Sequence, residues 1–76
     1  MKTHGWTDDL APDFALTDDG SLLFHSHPDM HNYVVGDVIK YRTRLGTTHF
    51  EIIFIEKANL KDYDPELQRI TAKKLD

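Results

Sequence analysis

Seventy-six residues make one small domain with a thin core, near the lower limit at which a chain folds without covalent or metal staples. The absence of cysteine excludes disulfides and thiolate metal sites and leaves the redox compartment open. The net charge of −4 is uneven: residues 1–30 hold six acids against Lys2, a net of −5, and residues 31–76 hold seven acids and eight bases, a net of +1. Such a distribution disfavours non-specific nucleic-acid binding by the whole molecule while leaving room for a local basic site. No apolar run approaches membrane-spanning length, and the N-terminus lacks the basic-then-apolar plan of a signal peptide, so a cytoplasmic protein is expected.

Residues 1–12 read as an extended N-terminal arm, and residues 13–76 as a single small β-rich domain. Trp6 is the one large apolar side chain of the arm, either docked on the core or exposed as an anchor for a partner. Residues 13–26 read as a hairpin. Asp18-Asp19-Gly20 suits a three-residue loop with Gly20 in the left-handed conformation, which pairs Leu16 with Leu22 and Phe14 with Phe24. A polar connection containing Pro28 follows, because proline cannot continue a central strand. Extended structure resumes at Tyr33, with a bend at Gly36-Asp37.

Residues 33–57 hold the densest β-branched and aromatic content and the clearest alternation. Ile39, Tyr41, Phe50, Ile52 and Phe54 form one apolar set. A two-residue loop at Leu45-Gly46 would pair Tyr41 with Phe50, Ile39 with Ile52 and Arg42 with His49. A one-residue slip would set Ile39 against Glu51 and break the apolar face. Leu-Gly is not a favoured two-residue turn, so the strands are better defined than the turn. Ile53 and Ile55 fall on the otherwise polar face, as in a central strand covered on both sides. After a charged connection, Asp64-Pro65-Glu66 has the features of a helix start, and Leu67, Ile70 and Lys74 follow at helical spacing. The rival is a last strand with Gln68, Ile70 and Ala72 on one face; the cap signal favours the helix. The predicted core is Phe14, Leu16, Leu22, Phe24, Tyr33, Ile39, Tyr41, Phe50, Ile52 and Phe54. The fold expected is mainly β with a short C-terminal helix, a small antiparallel meander or partly open barrel, SH3-like or OB-like.

The sharpest chemical feature is the run from His25 to His31, which places three histidines and Asp29 within seven residues. His25, His27, Asp29 and His31 are the candidate metal ligands, and imidazole with carboxylate suits zinc. His25-Ser26-His27-Pro28 resembles the metal-binding motif of the JAB/MPN metalloproteases over those four residues. The Ser-x-x-Asp element of that family does not follow, and no catalytic residue is carried over. The run also departs from the His-x-His-x-Asp-His pattern of metallo-β-lactamase-like hydrolases, since Met30 stands where the last His belongs. The bland reading is a solvated His-rich loop.

The second feature is a basic stripe. Lys40, Arg42 and Arg44 project from one strand face, with His49 across from Arg42, a geometry suited to a phosphate backbone or an acidic protein segment. The bland reading here is a solvent face balanced by Glu51. Catalytic alternatives are thin, with no Gly-rich phosphate loop, no cysteine nucleophile and no nucleophile elbow.

The reading these features favour is a non-enzymatic protein-interaction module that binds another protein through a strand edge or the basic face, with Lys40, Arg42, Arg44, His49 and Trp6 as candidate contacts. A metal-binding protein using the His25–His31 cluster is the alternative, and nucleic-acid binding through the basic face is third. No cofactor is expected beyond the zinc of that alternative. Duplex nucleic acid and membrane are not expected as partners, and a second copy of the chain remains a candidate.

Overall fold

The alternation that makes residues 38–57 so strand-prone also makes them the middle of the sheet. The computed structural model describes residues 1–7, 9, 13–58 and 66–75, and every regular element among them is a strand. These are β1 Thr3–Thr7, β2 Phe14–Leu16, β3 Ser21–Ser26, β4 Val38–Thr43, β5 Gly46–Lys57 and β6 Gln68–Lys74. They form one six-stranded sheet in the order β1-β4-β5-β6-β3-β2. All neighbours are antiparallel except β1 and β4, which run parallel, so the sheet is mixed and its order is not that of a meander.

Trp6 and Phe14 belong to the strands at opposite ends of that order, yet their ring centroids are 5.9 Å apart, and Phe14 stands edge-on to Tyr41 at 5.4 Å. The sheet is therefore curled into a half-barrel whose two outer strands meet through side chains. Its concave face buries Trp6, Leu22, Phe24, Tyr33, Ile39, Phe50, Ile52, Ile70 and Ala72. Each fully buried Leu, Ile or Phe contributes about 1.5–3 kcal/mol over its exposed state, and this layer supplies the folding free energy of so small a chain.

The β2–β3 hairpin has the predicted register, Phe14 opposite Phe24 and Leu16 opposite Leu22, with Gly20 at φ +85° in the loop. Leu16 itself is 63% exposed at the sheet margin and leaves the predicted core. In the β4–β5 hairpin the faces are as expected but the pairing is displaced by two residues. Ile39 lies opposite Phe50 and Tyr41 opposite Thr48, while Lys40 rather than Arg42 faces His49. A shift of two residues keeps every side chain on its face, so alternation cannot distinguish the two pairings; the turn does. Arg44-Leu45 is the two-residue loop, and Gly46 follows at φ +131°. The Thr43 hydroxyl accepts the Leu45 N–H and donates to the Gly46 carbonyl, both at 3.1 Å.

Two further expectations are corrected. No helix is present among the described residues, and Gln68–Lys74 is strand β6, seated between β5 and β3. Ile70 faces Ile55 on one side and Phe24 on the other, and Ala72 likewise faces Ile52 and Leu22. Two flanking ladders and two fully buried side chains outweigh a local cap signal at Asp64-Pro65, which lies outside the described residues. The second correction is a β-bulge in β5. Ile52 pairs with Ala72 and Phe54 with Thr71, leaving Ile53 as the extra residue. The bulge resets the alternation: Ile55 turns inward onto the core, whereas Phe54, predicted inside, is 52% exposed beside Ile53 at 47%. The outer face of β5 is thus not covered at this point.

No helix among the described residues is long and apolar enough to cross a membrane.

Candidate functional site

β2 is only three residues long and pairs with Leu22–Phe24 alone. Among the described residues, the end of β3, His25-Ser26, has β6 on one side and no strand partner on the other. Facing that edge across the curl is β1, whose only strand neighbour among the described residues is β4. Between the two lies a groove of about 670 Å³. His4, Gly5 and Trp6 of β1 form one wall, and His25, Ser26 and the following turn form the other. The turn closes through the His27 carbonyl, which accepts the N–H groups of Met30 at 3.0 Å and His31 at 3.2 Å. Met30, His31 and Tyr33 complete the lining.

Tyr33 forms the floor. Its ring lies 4.4 Å from His4, 5.7 Å from His31 and 5.3 Å from Phe24, centroid to centroid, and its hydroxyl accepts the Trp6 indole N–H at 3.4 Å. Aromatic contacts of this kind hold a large surface rigid while keeping a polar tip satisfied.

The wall formed by β1 is tied down by a buried carboxylate. Asp37 is 4% exposed. One of its oxygens accepts the Lys2 backbone N–H at 3.0 Å; the other accepts His4 Nε2 at 2.9 Å and the Val34 N–H at 3.2 Å. The hydrogen bond from His4 chiefly, with those from Lys2 and Val34, holds its carboxyl below the usual carboxylate range against the opposing effect of burial. An ionised carboxylate only accepts, so His4 donates to it from Nε2. Asp37 thereby connects the start of β1, the turn at Val34–Asp37 and the entry to β4. Such a tie orients the His4 ring as well as stabilising the edge strand.

The predicted site residues separate into two groups. His25, His27 and His31 line the groove, joined by His4, which the local reading did not select. Asp29 lies beside His27, its side chain 88% exposed and its carboxylate 3.6 Å from Nδ1; its backbone N–H donates to that same nitrogen at 3.2 Å. His25 falls on the face of β3 opposite Leu22, Phe24 and Ser26 and stands exposed at the rim. Among the described residues no group of three or more His, Asp, Glu or Cys side chains is disposed to hold one metal ion.

The basic residues lie elsewhere. Lys40 and Arg42 are exposed on β4, Arg44 is in the turn after the strand, and His49 is half-buried opposite Lys40. None of the four lines the groove. Trp6 is 4% exposed, packed edge-on to Phe24 at 4.9 Å, with its indole contributing to the groove wall.

His4 and Asp37 are 33 residues apart and meet only because β1 docks in parallel on β4, setting Thr3 opposite Val38. The one local signal for His4 is its spacing from Trp6, which places both on the same strand face. Comparison of the chain with protein-family models, with curated proteins and with solved structures finds no match.

Proposed function

We propose that the protein is a non-enzymatic interaction module that takes up an extended segment of another protein as an added strand, in the slot between β1 and the end of β3. The observation that carries this reading is the groove between two strand edges: among the described residues, β2 pairs with Leu22–Phe24 only, and His25-Ser26 lies across the groove from β1 without a second strand. An extended chain placed there would lie between two edges that have no second strand among the described residues. Main-chain hydrogen bonds then give affinity and the alternate side chains give selectivity. The Asp37 tie supports the same reading, because a pre-organised edge loses less entropy on binding than a loose one. Small barrels of the SH3-like or OB-like kind expected from the sequence host many functions, so fold analogy adds nothing to the argument.

Peptides selected from a displayed random library, titrated into isotopically labelled protein, test the proposal. Chemical-shift changes are expected to concentrate at His4–Trp6 and His25–His31. Changes centred on Lys40, Arg42 and His49, or on Ile53 and Phe54, would place the binding surface elsewhere and overturn the slot.

A further inference from the structure

None of the nine residues lining the groove is Asp, Glu, Lys or Arg, in a chain that is 29% charged. What they present instead is flat and polarisable. Trp6 and Tyr33 supply rings anchored in the core, and the His4 ring lies 4.4 Å from that of Tyr33. Met30, in the turn after β3, is 76% exposed and lines the same groove. An unbranched thioether held out beside an aromatic floor adapts to the shape of a ring, and its sulfur gains from contact with a ring edge. A carboxylate or ammonium entering here would lose hydration and meet no Asp, Glu, Lys or Arg among the lining residues.

The ladder decides where an entering side chain points. The Val38 N–H donates to the Lys2 carbonyl at 2.9 Å. In the parallel pairing of β1 with β4, His4 and Trp6 therefore direct their backbone groups at β4, and Thr3, Gly5 and Thr7 direct theirs at the slot. The side chains of His4 and Trp6 turn inward, onto Tyr33 and Phe24. A strand added along β1 sets the residues opposite His4 and Trp6 on that same inward side, and the residue between them outward.

We infer that the segment taken up carries an aromatic side chain at an inward position, docked in the groove against Tyr33 and Met30. The inference rests on the strand-addition reading above. A groove of about 670 Å³ is large enough for one such ring beside the backbone of the segment. Offset or edge-to-face contact between rings adds attraction beyond the area buried, which distinguishes an aromatic side chain from an aliphatic one of similar size. The ring thus supplies selectivity, while the backbone pairing along Thr3, Gly5 and Thr7 accepts any sequence.

Fluorescence anisotropy at constant pH and ionic strength tests the inference with labelled peptides of one library-selected backbone. They bear Phe, Leu, Ala, Glu or Lys at the inward position and contain no tryptophan. The Phe peptide should bind about tenfold or more tightly than the Ala peptide, with Leu between them and Glu and Lys no better than Ala. Trp6 is the chain's one tryptophan and lies in the groove wall, so its emission should shift as the Phe peptide saturates. Met30→Ala, at an exposed position, should weaken the Phe peptide roughly two- to tenfold and leave the Ala peptide unchanged. Leu or Ala binding as tightly as Phe, or a preference for Phe that survives intact in Met30→Ala, would overturn the aromatic assignment and leave strand addition standing. A Lys or Glu peptide that binds most tightly would assign the groove to a charged side chain instead. N-methylation of alternate backbone amides of the Phe peptide separates the two readings: it should abolish binding, and undiminished affinity would refute strand addition, as would binding of none of the five.

Discussion

The two halves of this sheet solve different problems with different side chains. From β4 through β3 every strand has a neighbour on each side, and the fully buried side chains are mostly hydrocarbon: Leu22, Ile39, Ile52, Ile70 and Ala72 are all 0% exposed. Along the seam, where β1 and the end of β3 have no second neighbour among the described residues, the inward side chains carry donors and acceptors. Trp6 donates to Tyr33, and His4 donates to a buried carboxylate that also collects two backbone N–H groups. Where the ladder is complete the backbone satisfies itself and packing alone is needed. Along the seam, polar side chains gather to hold the edge.

The largest effect expected from this contrast lies in the closed half. Phe50→Ala, on the concave face of β5, should cost about 3–5 kcal/mol in urea denaturation, most or all of the stability of so small a domain. Phe54, four residues along the same strand but turned outward by the bulge, is the matched control. Phe54→Ala should change stability by no more than about 0.5 kcal/mol. Comparable losses at the two positions would mean that the bulge does not reset the alternation.

An intermediate effect belongs to the seam. Asp37→Asn removes a charge-assisted tie on β1 and should cost about 1.5–3 kcal/mol near neutral pH. The sign of the pH dependence follows from the depressed pKa of Asp37. Its contribution is complete above the unfolded carboxyl value of about 4 and fades as pH falls through the lower folded value. The stability gap between wild type and Asp37→Asn should therefore be constant from about pH 5 upward and close progressively below about pH 4. A gap that instead opens with acid would show that Asp37 is not the acceptor of these bonds.

The smallest effect on stability is expected at the mouth of the slot. His31→Gln, on an exposed ring, should stay within about 0.5 kcal/mol of wild type in thermal or urea melts. If that substitution unfolds the domain, the groove lining is part of the core and not a surface set aside for a ligand.

How much of this was legible beforehand follows the same division. The β2–β3 pairing was readable because Asp18-Asp19-Gly20 and the apolar alternation independently require the same register. The β4–β5 pairing was readable only to within two residues, since alternation defines a face and not a partner, and the Thr43 hydroxyl that organises the turn has no strong local signature. The bulge at Ile53 broke a periodicity argument that assumed an unbroken strand. β6 was misread because its stability comes from two neighbours distant in sequence, while the competing helix signal was local. At the site, three of the histidines were conspicuous by their clustering, but the groove depends on a fourth from β1 and on Asp37. That pairing, between residues 33 apart, is created by the parallel docking of β1 on β4, which no local window along the chain contains.

The central claim, that an extended segment completes the ladder between β1 and the end of β3, is tested most directly by residue-resolved amide hydrogen exchange. Free protein should exchange rapidly at the slot-facing amides of Thr3–Thr7 and of His25-Ser26, whose open side has no second strand among the described residues. Saturation with a bound peptide should slow those amides and leave Lys40, Arg42, Ile53 and Phe54 unchanged. Binding that leaves the slot amides exchanging as before would contradict backbone pairing, and with it the account of the half-barrel as a strand acceptor.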